Sequence, residues 1–275
     1  MKRTLPLLMV VLGCAPGPSA TTVDTGPIDT GIDALGDSTT PFTPQTTPVT
    51  TLPTATGTVH FAHDVVDAPG AGDLPFRDPA LAVNGVRGGG WFEGSLDVFA
   101  LGFSPTSEAS LTLGWGGGRV FDGAGPDLAV FENPFEYTEG NRFMDPVIVS
   151  VSPDGIDWVD FPHDYTAPDE RAYSTSPADW SGFAGVTPVL LHVEDNVVDP
   201  FDGAAAGGDA FDLADLPADD PVSARVLQEG VLQVRVTTAS ARVNPHTGEE
   251  FVADPVSNGA DIDGVAGRYL LFDIE

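Results

Sequence analysis

The chain has 275 residues, with 41 Asp and Glu against 11 Lys and Arg, a formal net charge of −30. So acidic a surface repels nucleic-acid phosphates, which excludes nucleic acid as a partner, and it attracts cations. Hydrophobic content of 41% supports a core, while 32 Gly and 25 Pro punctuate the sequence at intervals that suit strands and turns better than helices.

The chain opens Met1-Lys2-Arg3, runs through an apolar stretch from Leu5 to Leu12, and reaches Gly13-Cys14. A positive start followed by a short apolar segment is the pattern of an export signal, too short to span a bilayer. Cys14 is the single cysteine, so no disulfide forms within the chain and a role for this thiol at this position is expected. Val11-Leu12-Gly13-Cys14 resembles the lipobox of bacterial lipoproteins. The resemblance implies that residues 1–13 are a signal peptide, that Cys14 carries the lipid, and that the lipid anchor makes the membrane a partner. Ala15, where an Asp would hold the protein back, implies an outer-membrane location facing outward. Residues 14–56 hold the lipidated cysteine and a Thr/Pro-rich tether, exemplified by Thr39-Thr40-Pro41 and Thr46-Thr47-Pro48. This segment has too few large apolar side chains to offset its ordering entropy.

From Gly57 to residue 275 the pattern changes to short apolar runs between turns, which predicts one all-β domain, an antiparallel jelly-roll-like β-sandwich. Strands are expected over 58–61, 95–101, 109–113, 127–131, 186–193, 230–237 and 267–274. The clearest hairpin is 146–161, turning at Asp154-Gly155, with Ile156, Trp158 and Phe161 on its returning arm. No amphipathic helix stands out, although 211–216 suits a single helical turn.

Around that hairpin, Ser150-Val-Ser-Pro-Asp-Gly-Ile-Asp-Trp158 resembles the Ser-x-Asp-Gly-x-x-Trp strand pair of discoidin-like, galactose-binding-like jelly rolls. A wider set of marks is similar to a family of bacterial cell-surface proteins and lipoproteins. These are Asp122-Gly-Ala-Gly-Pro-Asp127 running into Val130-Phe-Glu-Asn-Pro134, Ser181-Gly-Phe-Ala-Gly185, Gly207-Gly-Asp-Ala-Phe-Asp-Leu213 and Asp261-Ile-Asp263. The resemblance implies a surface location and a sandwich fold, not a particular activity.

Oxygen-bearing side chains cluster in three places and make calcium the candidate cofactor. Asp122, Asp127, Glu132 and Asn133 surround a Gly-rich loop, although Ala124 and Pro126 stand where an EF-hand would need ligands. Asp209 and Asp212 follow a Gly pair, and Asp212 is equally suited to capping a helical turn. Asp261 and Asp263, two apart on a strand, would share a face. Trp91 and Trp115, in Gly-rich settings, are candidates for stacking on a sugar, whereas Trp158 suits the core better. Gly114-Trp-Gly-Gly-Gly118 lacks the Lys-Ser/Thr of a phosphate loop, which excludes nucleotide. His60 and His63 flank no zinc pattern, and no Gly-x-Ser-x-Gly elbow supplies a nucleophile. The expectation is a non-enzymatic, calcium-supported binding or adhesion protein whose partner is an extracellular glycan or surface protein. The alternatives are a carbohydrate-active enzyme, or its accessory module, using paired carboxylates, and a structural envelope component without ligand.

Overall fold

The computed structural model describes residues 57–102, 109–196, 198–257 and 259–272, so the expected signal peptide, Cys14 and the tether lie outside the described residues. Strands follow in chain order as β1 (His60–Phe61), β2 (Asp64–Asp67), β3 (Phe99–Ala100), β4 (Ser110–Gly114), β5 (Arg119–Val120), β6 (Leu128–Glu132), β7 (Phe135–Thr138) and β8 (Asn141–Phe143). They continue as β9 (Val147–Ser152), β10 (Val159–Asp160), β11 (Asp164–Tyr165), β12 (Trp180–Ser181), β13 (Asp209–Phe211), β14 (Gln233–Thr238), β15 (Asp261–Gly267) and β16 (Leu270–Leu271). Two short helices, α1 (Gly203–Ala206) and α2 (Pro221–Glu229), interrupt them. None of the helices among the described residues is long and apolar enough to cross a membrane.

The strands form an antiparallel β-sandwich. One sheet has the order β1-β15-β6-β13, with β3 also on β15, and the other has the order β10-β9-β14-β4-β2. Up to β9 the chain alternates between the two sheets, with only the short strands of smaller sheets between, as a jelly roll does. Inward positions recur every second residue, as the pleat requires: Leu111 and Leu113, Leu128 and Val130, Val149 and Val151, Val234 and Val236 meet in one core.

The outer faces of both sheets are covered as well. Ala129, Phe131 and Ala266 pack against Val86, Val189 and Leu191 on the far side of the first sheet. On the far side of the second sheet, Ile148 joins Tyr165, Trp180, Phe183 and Phe251. This double cover explains why β6 (Leu-Ala-Val-Phe-Glu) and β9 (Val-Ile-Val-Ser-Val-Ser) are buried at every residue and do not alternate with polar positions.

Several sequence expectations change. The segment 186–193 is not a strand; it touches the rest through isolated bridges, Val189 to Gly207 and His192 to Arg87. The 95–101 run contributes only β3, and β13 falls in what the sequence presents as a loop. In the 146–161 hairpin the turn lies at Asp154-Gly155 as expected, but the returning arm pairs only through β10. Asp154 Oδ1 accepts the Ile156 and Asp157 N–H groups, curling the chain so that Ile156 is 80% exposed. Trp158 is half-buried, with the Arg235 guanidinium 4.1 Å from its ring centroid, instead of filling the core. Helix α2 was not expected. Asp220 caps it by accepting the Val222 N–H, Pro221 opens it, and Gly230 at φ +78° ends it. Only Val222 and Val226 present an apolar stripe to the core, too narrow a signal to read from sequence.

Trp115 is a core residue. It is 0% exposed, and its indole N–H donates to the His60 carbonyl at 3.1 Å. A Cβ on Gly267 would come within 3.0 Å of its ring, so the glycine lets the ring lie against β15. Trp115→Ala should therefore lower stability by about 3–5 kcal/mol, whereas Trp91→Ala at an exposed position should cost under about 1 kcal/mol. Denaturant midpoints of the two variants measure this; equal costs would refute the assignment of Trp115 to the core.

Candidate metal centre

Antiparallel pairing of β13 with β6 sets Phe211 opposite Leu128, so the residues just outside the pair, Asp212 and Asp127, become neighbours. The Asp127 N–H donates to the Phe211 carbonyl at 2.9 Å and locks that end of the ladder. Asp127 is fully buried. Its Oδ1 accepts the Gly123 N–H and its Oδ2 the Leu213 N–H, both at 2.9 Å, so one carboxylate holds the Gly-rich loop and the turn after β13 together. Asp122 enters from the start of that loop. Tyr269 clasps the loop from outside: its hydroxyl bonds both the N–H and the carbonyl of Ala124, and its ring leaves no space for a side chain at Gly123. Asp212 accepts the Ala214 N–H at 2.9 Å and caps a one-turn 3-10 helix, Leu213–Asp215.

Ligand atoms of Asp122, Asp127 and Asp212 all lie within 4.8 Å of one another. Burial pushes the Asp127 carboxyl up to about 6 against the pull of its two N–H donors, and the Asp122 and Asp212 charges add to the rise. Asp122 is also raised, first by desolvation and then by Asp212. Three carboxylates this close repel one another, and an oxygen-seeking divalent cation relieves that repulsion. Asp122 is exposed and Asp212 partly so, which leaves the group open to solvent.

The other candidates divide differently from the sequence grouping. Asp209 does not join Asp212: its Oδ2 accepts the N–H groups of Gly185, Val186 and Thr187 at 2.8, 3.0 and 3.4 Å. Burial holds its carboxyl up at about 6 despite these donors. Asp263 is buried, with both oxygens 2.9 Å from the Arg87 N–H. A bulge between Ile262 and Gly264 breaks the regular register of β15; the Asp263 carboxylate meets the Arg87 N–H and the Asn133 amide, while the Asp261 backbone meets Glu132 and the same Asn133 amide. Glu132 and Asn133 sit at the far end of β6 from Asp127, beside Asp261. Asp145, which acts electrostatically on both Glu132 and Asp261, was missed; no spacing in the sequence links it to them. Of the two stacking candidates, Trp115 is buried and offers no face to a ligand, while Trp91 is 43% exposed with Arg142 over its ring at 5.5 Å.

Beside the triad lies a cleft of about 510 Å³. Phe161, Trp180, Phe183 and Phe211 contribute to its wall, and Asp209, Asp212 and Asp215 stand along it. Asp212 thus belongs to both the triad and the cleft. No family model, curated protein or solved structure matches the chain.

The raised carboxyls fix a pH dependence. Asp127, Asp145 and Asp209 are pushed up to about 6, and Asp261 and Asp263 to about 7. A folded-state value above the unfolded one gives stability that is complete below the unfolded value, near 4, and is lost as pH rises through the folded value. Asp154 is shifted the other way by the N–H groups of Asp157 and Ile156, and opposes this only in the acid range. In chelator the melting temperature should therefore fall between about pH 5 and about pH 8. A melting temperature that is flat or rises over that interval would overturn this account of the buried acids.

Proposed function

We propose that the protein is an exported, lipid-anchored surface protein whose β-sandwich binds an extracellular partner with the help of calcium. The observation that carries the reading is the convergence of Asp122, Asp127 and Asp212 at the edge of a cleft that includes Asp212. Calcium accepts six to eight oxygens, so an ion held by three carboxylates keeps positions for water or ligand hydroxyls. The cleft, with Asp209, Asp212 and Asp215 along its wall, offers acceptors to a polyhydroxylated ligand, and an extracellular glycan is the partner class this chemistry favours. The role is binding: Asp127 and Asp212 spend their side-chain hydrogen bonds on backbone N–H groups that fix loops. The anchor rests on Lys2-Arg3, the apolar run and Val11-Leu12-Gly13-Cys14.

Three experiments test this reading. Cys14→Ser should abolish incorporation of labelled fatty acid and release the protein from membranes; continued labelling would refute the anchor. Calorimetry on the full chain should show a calcium-binding step that Asp122→Ala removes, since Asp122 is exposed and its loss leaves the fold intact. A native-state site filled to a hundredfold above Kd adds about 2.7 kcal/mol of stability, and magnesium should substitute poorly because it demands a rigid octahedron. Retention by glycans should need calcium and be lost with Asp122→Ala. Calcium heat indifferent to Asp122, or hydrolysis of the glycan by the wild type, would sink the reading.

A further inference from the structure

A second groove, of about 560 Å³, lies between the β7–β8 hairpin and the segment that precedes β15. It shares no residue with the Asp122 triad or with the cleft beside it. The hairpin, Phe-Glu-Tyr-Thr-Glu-Gly-Asn-Arg-Phe over 135–143, pairs Phe135 with Phe143 and Glu136 with Arg142. Alternation along the strands therefore separates the two Phe rings from the charged pair. Phe135 stacks on Phe143 with ring centroids 5.3 Å apart and braces it. Arg142 is engaged away from them: its Nη1 donates to the Val186 carbonyl, and its guanidinium stands 5.5 Å from the Trp91 ring centroid.

Three aromatic side chains from three segments line the groove: Tyr137 on β7, Phe143 on β8 and Tyr173 between β11 and β12. Tyr137 is 54% exposed, and Val256 on the opposite rim is 76% exposed. The Tyr173 hydroxyl donates to the Met144 carbonyl, and its ring lies 5.8 Å from that of Trp180, so the ring is held while its polar end is taken. Thr175, also in the wall, donates its hydroxyl to Asn141 Oδ1 at 2.9 Å. Asp254 is the one acid in the lining, and its charge acts on Tyr173. It is more than nine-tenths buried, and Oδ1 accepts the Val256 N–H at 2.9 Å. No Lys, Arg or His stands among the lining residues to neutralise it.

We propose that this groove binds a quaternary ammonium group, with the rings of Tyr137, Phe143 and Tyr173 against its methyl groups and Asp254 as its counter-charge. Aromatic faces attract a cation through their quadrupole, and a set of them is the usual receptor for a fully alkylated ammonium. A primary ammonium brings three N–H donors and a sugar brings several hydroxyls, and both need acceptors and donors in the wall. Here the hydroxyls of Tyr173 and Thr175 are already donated within the protein, and one oxygen of Asp254 is occupied by the Val256 N–H. A quaternary ammonium donates no hydrogen bond and presents an apolar surface that carries charge, which matches a wall of rings with a single carboxylate. The formal charge of −30 draws such a cation to the domain. The site stands independently of calcium.

Calorimetry of the full chain with choline chloride, at ionic strength held constant with sodium chloride, should show saturable binding at one equivalent. The neutral isostere of choline, with a tert-butyl group in place of the trimethylammonium, should bind about tenfold more weakly or worse. Tyr137→Leu keeps an apolar side chain at an exposed position and removes a ring face, so it should also cost about tenfold. Asp254→Asn, which keeps an oxygen for the Val256 N–H, should weaken binding severalfold. The ammonium group can come from a soluble amine or from a lipid headgroup, so the Cys14→Ser chain is also offered phosphatidylcholine vesicles. Binding of free choline identifies the soluble source; vesicle retention that Tyr137→Leu removes, without binding of free choline, identifies the headgroup. Capture of neither overturns the site. Equal affinity for choline and its neutral isostere, or binding that Tyr137→Leu leaves undiminished, overturns it as well.

Discussion

Four of the carboxylates that the domain holds away from bulk water accept a backbone N–H from a segment distant in sequence. Asp127 takes the N–H of Leu213, Asp209 those of Gly185 to Thr187, Glu132 that of Asp261, and Asp263 that of Arg87. Loops in a sandwich have backbone donors that no sheet neighbour can satisfy, and an ionised carboxylate is the strongest acceptor a side chain offers. The same burial raises the proton affinity of each acid, so loop order and acid ionisation are opposed. Much of the domain's architecture follows from that opposition.

Layering makes this arrangement necessary. Because Phe131 and Ala129 are covered by the Val86–Val189–Leu191 cluster, while Leu128 and Val130 face the central core, β6 has no solvent-facing side along its length. Loops that would ordinarily lie over open surface instead pack against a sheet face. Their polar backbone must then be satisfied internally. Arg87 illustrates the result. Its N–H goes to Asp263, its guanidinium bonds the carbonyls of Asn84 and Gly85, and it pairs with Asp97 and Glu194, closing one loop with a single residue.

The fold class was legible in the sequence because period-two apolar runs and turn residues report sheets directly. β4, β6, β9 and β14 fall where the apolar runs place them, within a residue or three at each end. What the sequence hid depends on the third dimension. β13 reads as a loop because Gly207-Gly208-Asp209 is turn chemistry, yet antiparallel pairing with β6 overrides that local preference. Trp115 reads as exposed among glycines, although those glycines serve the turn that carries its ring inward. The acids at the site were found as residue types and grouped wrongly. Proximity along the chain joined Asp209 to Asp212, whereas the sheet joins Asp212 to Asp127 and Asp122.

One strand links the triad to the other buried acids. Asp127 precedes β6 and Glu132 ends it, roughly 16 Å apart along a strand rising about 3.3 Å per residue. The Asp127 end lies beside the cleft through its neighbour Asp212, whereas the Glu132 end accepts the Asp261 N–H and lies against the Gly185 backbone. Because β6 is packed on both faces, neither end can move without disturbing the core. The triad is therefore built on one of the most constrained strands of the sandwich, and its loops, not the strand, are what a ligand can displace.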